Sequence, residues 1–310
     1  MESQKPKIVL YAKRSFGEKL NVTFDFIKEN WKVMLKYITY FVLPLCLIQA
    51  VNFNSMMGHM YDFNSLVAAS ANRAVASGIS MIINSSLFLV LSLLAGIVIT
   101  ALLFTFFRTY LDREERLKNL HFNDMKPLFI RNLKRSFVLF LWYLLFVIIL
   151  SILLVSLTLV SLYTLIITIP LFVALIFPLL LVPSAYMLEE ISVWQSIKKS
   201  FRLGFATWGG VFLIVLIMSI IANVIQTVLG IPWYVTYMVR MIFFMSEGGT
   251  EATISFGYSF LQYLLMVVLL FGGYVSSIFY YIGLTFQYGH ASEVVDSITI
   301  ESDIDNFDKL

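Results

Sequence analysis

The sequence predicts an all-α protein that crosses a membrane about six times. Three observations carry this. Hydrophobic residues make up 59% of the 310 and charged residues 13%, with a mean hydropathy of +0.85. A soluble domain has roughly 45–50% apolar and about 25% charged residues, so this chain could not cover its apolar surface in water. Several windows also reach the ~20 apolar residues that span a bilayer, and Lys and Arg are segregated to alternate connections between those windows.

The first span is predicted over Val33–Val51, with Lys36 near its start and Pro44 inside. The second, Ile79–Phe107, has 29 residues, so it tilts or protrudes. Ser136–Leu188 is uncharged over 53 residues, enough for two spans, placed at Phe137–Val160 and Ile169–Met187. Pro170 suits the first turn of the fourth span, where its missing N–H costs nothing, and Pro178 and Pro183 predict kinks. The fifth span is Gly209–Leu229. The sixth runs from Ile254 to about Tyr288, which at ~1.5 Å per residue is ~50 Å against a ~30 Å hydrocarbon core. It therefore extends into the cytoplasm or bends at Gly272-Gly273. Ile231–Met245 is too short for a further span and reads as an interfacial or re-entrant segment. Asn52–Gly78 reads as a mobile outer loop, and 291–310 as an acidic cytoplasmic tail carrying Glu293, Asp296, Glu301, Asp303, Asp305 and Asp308.

Twenty Lys and Arg residues fall before the first span, between spans two and three, between spans four and five, and in the tail, against two, Arg73 and Arg240, on the other side. That bias predicts cytoplasmic termini. The first 30 residues hold no apolar core of a cleavable signal.

Each cytoplasmic segment before an odd-numbered span has an amphipathic helical pattern. Phe16, Leu20, Phe24, Ile27 and Trp31 share one face of the first, with Ser15 and Glu18 in a capping-box pattern. Met125, Phe129, Leu133 and Phe137 share a face of the second, with Asn123 or Asp124 as N-cap. Val193, Ile197 and Phe201 share a face of the third, capped by Ser192 and Gln195. The membrane domain, 1–290, thus divides into three units of amphipathic helix plus helix pair, about 15–111, 112–189 and 190–290. Basic amphipathic helices beside spans suit an anionic inner leaflet, or they cap the bundle by packing on one another.

Reactive constellations are scarce. Cys46 is alone in an apolar run, and His59, His121 and His290 have no companion at metal-ligand spacing, so no metal site and no cofactor is expected. There is no phosphate-binding Gly-rich loop and no nucleophile elbow. Glu189-Glu190 follows the fourth span and precedes a helix N-cap, which suits the helix dipole. No acid or base lies within the spans beyond Lys36, which argues against a proton-coupled pump. Asn84, Ser85, Ser86, Asn223, Gln226, Thr227 and Gln262 are expected to hydrogen-bond between helices. Gly272 with Ser276 and Gly273 with Ser277 favour close helix approach, within the chain or in self-association. Trp31, Trp194, Trp208 and Trp233 lie near span ends and read as interfacial anchors. Arg240 either snorkels to headgroups or pairs with Glu247 or Glu251.

The segment from Glu189-Glu190-Ile191-Ser192 through Lys198-Lys199-Ser200-Phe201-Arg202-Leu203, the ending Thr285-Phe286-Gln287-Tyr288 with Glu293, and the opening Phe16–Trp31 resemble a poorly characterised family of bacterial polytopic membrane proteins. That family includes YciC-like proteins and the membrane domain of some glycerophosphodiester phosphodiesterases. Here Gly289-His290-Ala291 intervene before the acid, a departure from the usual ending. The resemblance implies a bacterial inner-membrane location and supplies no catalytic residues. The net charge of +3 gives no reason to expect nucleic acid. The expectation is a non-enzymatic protein contacting membrane lipids or a membrane protein partner. The alternatives are a transporter or lipid exporter with a lateral opening, and a membrane-embedded lipid enzyme, which would need polar side chains clustered at one depth.

Overall fold

Lipid cannot hydrogen-bond a peptide group, so a chain this apolar satisfies its backbone inside helices. The computed structural model describes residues 6–66, 71–246 and 255–299, and every extended element among them is helical. The α-helices are α1 Phe16–Leu66, α2 Ala71–Asp112, α3 Phe122–Val160, α4 Leu165–Leu179, α5 Val182–Glu189, α6 Val193–Ala206, α7 Trp208–Ser246 and α8 Phe256–Val295. Six stretches are long and apolar enough to cross a membrane: Phe16–Met57, Gly78–Asp112, Phe122–Val160, Leu162–Glu189, Trp208–Phe243 and Phe256–Val295. The protein is a multi-pass helical membrane protein.

Several sequence expectations change. Two of the three amphipathic segments are not separate helices but the opening turns of α1 and α3; only α6 stands alone between spans. Residues 52–66 and 71–78, read as a mobile loop, continue α1 and begin α2. Ile231–Met245, read as interfacial or re-entrant, belongs to α7, which runs 39 residues through Pro232. An internal proline removes one backbone bond, a loss that neighbouring helices make tolerable in lipid. Helix α8 passes uninterrupted through Gly272-Gly273 over 40 residues. Helix α3 begins after His121, not Asn123 or Asp124, and the Asp124 carboxylate accepts the His121 N–H at 3.2 Å.

The fourth span breaks instead of merely kinking. A three-residue 3-10 turn, Leu162–Thr164, leads into α4, so Pro170 lies past the first turn. Leu180 and Leu181 then donate to the Phe177 and Pro178 carbonyls, each at 3.2 Å, which tightens the chain before α5. Pro183 falls in the first turn of α5, where no intrahelical donor is missed.

The chain forms two compact units. The first comprises residues 1–34, 100–220 and 278–310, the second residues 35–99 and 221–277, so α1, α2, α7 and α8 contribute to both. In the first unit, Leu139, Leu179, Val182, Tyr186 and Val193 form one buried cluster, and Leu181, Leu203, Val211, Leu284 and Tyr288 another. Helix α6 meets α4 at Gly204, where a Cβ would lie 2.5 Å from the Pro178 Cα; glycine is required by that approach.

In the second unit, neutral side chains link the helices. The Gln49 amide donates to Ser92 Oγ and to the Tyr274 hydroxyl, both at 3.0 Å, and Asn52 donates to Asn84 at 2.9 Å. Gly272 lets α7 and α8 approach, since a Cβ there would stand 2.5 Å from Leu229 Cδ1. Phe53, Phe88 and Trp233 form an aromatic cluster.

Candidate functional site

The segments 16–31, 189–203 and 285–293 all belong to the first unit. The capping boxes start two of them as expected. Ser15 N–H donates to Glu18 at 2.6 Å, and Ser192 N–H donates to Gln195 at 3.0 Å while Gln195 N–H donates back at 3.3 Å. The faces turned inward, however, are not those with the most apolar pattern. On α1 the buried positions are Lys19, Thr23, Phe26, Asn30 and Met34, whereas Phe24 and Trp31 are 41% and 49% exposed. On α6 they are Val193, Ser196, Ser200, Leu203 and Gly204. Small and polar residues are preferred between helices when the surroundings are lipid, because lipid takes apolar side chains as readily as a protein core does.

Glu189 and Glu190 lie at the centre of a charged network. Glu190 is the C-cap of α5 with φ 57°, and its carboxylate accepts from Arg108 at 2.5 Å and Arg131 at 2.7 Å. These two guanidinium groups, Arg131 through its hydrogen bond first, hold the Glu190 carboxyl below its ordinary range. Glu189 points elsewhere. Both its oxygens lie 2.7 Å from the Lys199 ammonium, and it accepts the Tyr288 hydroxyl. Asp296 joins at 3.5 Å from Lys199 and 2.7 Å from Arg202. Arg135 stacks on Tyr186 at 3.9 Å and donates to the Tyr186 and Ile191 carbonyls, satisfying acceptors that α5 leaves at its end. Nearby, burial and then the charge of Glu189 push the Tyr11 hydroxyl up, and burial pulls the Arg14 guanidinium down.

A second polar line runs beside this network. The buried Lys19 ammonium donates to Gln287 Oε1 at 2.7 Å, and the Gln287 amide donates to Thr207 at 3.3 Å. The Arg14 backbone N–H donates to His290 Nδ1 at 3.0 Å. Thr285 lies 3.3 Å from Ser184. Thr285, Gln287 and Tyr288 of α8 thus cross-link to α1, α5 and the C-cap of α6, whereas Glu293 accepts from Thr299 six residues on. The carboxylates are engaged by cations, so the network is equipped to hold helix ends together.

Between α3 and α6 lies an apolar groove of about 300 Å³. Leu139, Trp142, Phe146 and Ile149 line it from α3, Val193, Ile197 and Phe201 from α6, and Lys198 is its one charged side chain. Leu179 and Val182 supply part of its wall from the break in the fourth span.

The interface candidates divide. Trp194 is 57% exposed with Lys198 5.4 Å over its ring, and Trp31 is exposed beside Lys32. Trp208 stacks on Phe212 and donates to the Ala174 carbonyl at 3.2 Å. Trp233 is buried, stacked on Tyr237 and edge-on to Phe53, so its ring is held by protein. Arg240 donates to Gln262 at 3.2 Å; its proposed partners Glu247 and Glu251 lie outside the described residues. His121 is exposed, and the His59 side chain is outside the described set. Cys46 is buried, and no group of three His, Cys, Asp or Glu suited to a metal ion occurs among the described residues.

The sequence pointed to Glu189-Glu190 but not to the partners, because Arg108, Arg131 and Tyr288 are distant in the chain. No protein-family model matches the chain, and no curated protein or solved structure matches it.

Proposed function

We propose that the chain is a non-enzymatic protein of a bacterial cytoplasmic membrane, with both ends on the cytoplasmic side, that engages inner-leaflet lipid. The observation that supports this is α6. It is a free-standing amphipathic helix between two spans, fastened by Glu189–Lys199 and the Gly204–Pro178 contact, and it keeps Trp194, Lys198 and Phe205 exposed. A basic, aromatic outer face on a helix at a span end suits anionic headgroups and the acyl boundary. Native mass spectrometry of gently extracted protein tests the reading. Retention of anionic over zwitterionic phospholipid is expected; equal retention overturns it. A stoichiometric protein partner with only bulk lipid would replace it with an accessory or scaffold role.

The break at Leu180–Leu181 favours a second reading, a transporter or lipid exporter. A discontinuous span beside a lipid-facing groove is a feature of substrate paths in membranes. Reconstituted protein that leaves labelled-lipid distribution between leaflets unchanged would remove this alternative.

A further inference from the structure

We infer that the groove between α3 and α6 holds one acyl chain of a single anionic phospholipid, with Lys198 binding its phosphate. This rests on the lipid-engaging function proposed above and deepens it. The groove follows α3 from Leu139 to Ile149, ten residues and so ~15 Å of helix. That length and its narrow apolar lining suit a single hydrocarbon chain. Polarity is confined to one side. Trp194 and Lys198 are successive turns of α6, and both line the groove.

Charge decides the headgroup. The neighbouring Lys199 is taken by Glu189 and Asp296, and Arg202 by Asp296. Lys198 makes no ion pair among the described residues; its ammonium rests over the Trp194 ring at 5.4 Å. An unpaired cation at an apolar groove complements a lipid phosphate carrying net negative charge. The surroundings select lipid over a protein helix. Only 6% of the most apolar window of α3 is buried, so the α3 flank of the groove is open to lipid.

The test uses the full chain, purified and stripped of lipid in detergent. It is titrated in native mass spectrometry with phosphatidylglycerol or with phosphatidylcholine of the same acyl chains. One phosphatidylglycerol is expected to bind before the rest, about fivefold tighter than phosphatidylcholine, the advantage of one lysine near an anionic headgroup. Lys198→Gln should erase that advantage and leave phosphatidylcholine binding unchanged. Ile149→Trp, at an exposed wall position that tolerates a larger side chain, should abolish the first-bound lipid of either kind. If phosphatidylglycerol is preferred but neither variant alters it, the groove is overturned and lipid engagement stands elsewhere on the chain. If the wild type shows no preference, lipid engagement fails with it. If Lys198→Gln keeps the preference while Ile149→Trp abolishes the first-bound lipid, the groove stands and the role of Lys198 is overturned.

Discussion

The two compact units solve the problem of joining helices in lipid with different chemistry. The first uses ions: Glu189, Glu190 and Asp296 meet Arg108, Arg131, Lys199 and Arg202. The second relies mainly on neutral amides and hydroxyls, as in Gln49 with Ser92 and Tyr274 and Asn52 with Asn84, with Arg240 a charged donor to the Gln262 amide. The difference follows from solvation. The Glu190–Arg131 pair at a helix end keeps access to water, so its desolvation cost is small. Within an apolar span a charge is expensive, and a neutral hydrogen bond secures the same contact. The charged unit also keeps Lys198 without an ion pair among the described residues, beside an apolar groove.

The largest expected contrast concerns glycine. Gly204 sits against backbone: a Cβ would lie 2.5 Å from the Pro178 Cα, and neither chain can yield without moving a helix. Gly272 sits at the same 2.5 Å, but from Leu229 Cδ1, the far end of a flexible side chain. Gly204→Ala should therefore cost about 1–3 kcal/mol, as overpacking does. Gly272→Ala should cost less than about 1 kcal/mol, since alanine also gains helix propensity. Unfolding by sodium dodecyl sulfate, followed by circular dichroism, compares them; equal losses would erase the distinction between backbone and side-chain contact.

Comparable in size is the exchange of a single hydrogen-bonding group. Glu189→Gln removes the charge that Lys199 and Tyr288 share, at about 1.5–3 kcal/mol for hydrogen bonds to a charged group. Gln49→Leu should cost about 0.6–1 kcal/mol, the usual range for a hydrogen bond between spans. The double variant Glu189→Gln/Lys199→Met should lose less than the sum of its singles, since the two residues act as one link. Strict additivity would mean that the pair contributes nothing.

The spans were legible because a bilayer imposes a length, and the caps because Ser15, Glu18, Ser192 and Gln195 stand at fixed spacing. The inward faces were not. Phe24 and Trp31 look like the core of an amphipathic helix, yet the buried positions are Lys19, Thr23 and Asn30 together with Phe26 and Met34. Periodicity marks an inside only where the outside is water, and here apolar side chains are equally at home against lipid. Ile231–Met245 is too short to span when counted alone, but α7 runs on through Pro232, so the segment continues the fifth span. The charged network was invisible for another reason. Glu190 and Arg131 are 59 residues apart, and Glu189 and Tyr288 are 99 apart, so only the assembled fold places them together. Local spacing assigned Glu189-Glu190 to a helix dipole; it could not supply the cations.

The smallest expected effect is the one that most directly separates ionic from neutral joining. Arg131 and Arg108 hold the Glu190 carboxyl below its ordinary value of 4.5. An unfolded chain therefore takes up this proton at a higher pH than the folded one. The stabilisation from Glu190 is then fully present above that ordinary value, and it is lost as the pH falls through the depressed one. Thermal unfolding followed from pH 7 down to pH 3 should decline less steeply below about 4.5 in Glu190→Gln than in the wild type. Gln49→Leu should shift the whole curve and leave its slope unchanged, since no proton is involved. High salt should narrow the difference between Glu190→Gln and the wild type at neutral pH, because the Glu190 pairs are solvent-exposed and screened, and should leave the Gln49→Leu difference alone. An unchanged acid slope in Glu190→Gln would show that these ion pairs contribute no stability, and the contrast between charged helix ends and neutral spans would then rest on Glu189 and Asp296.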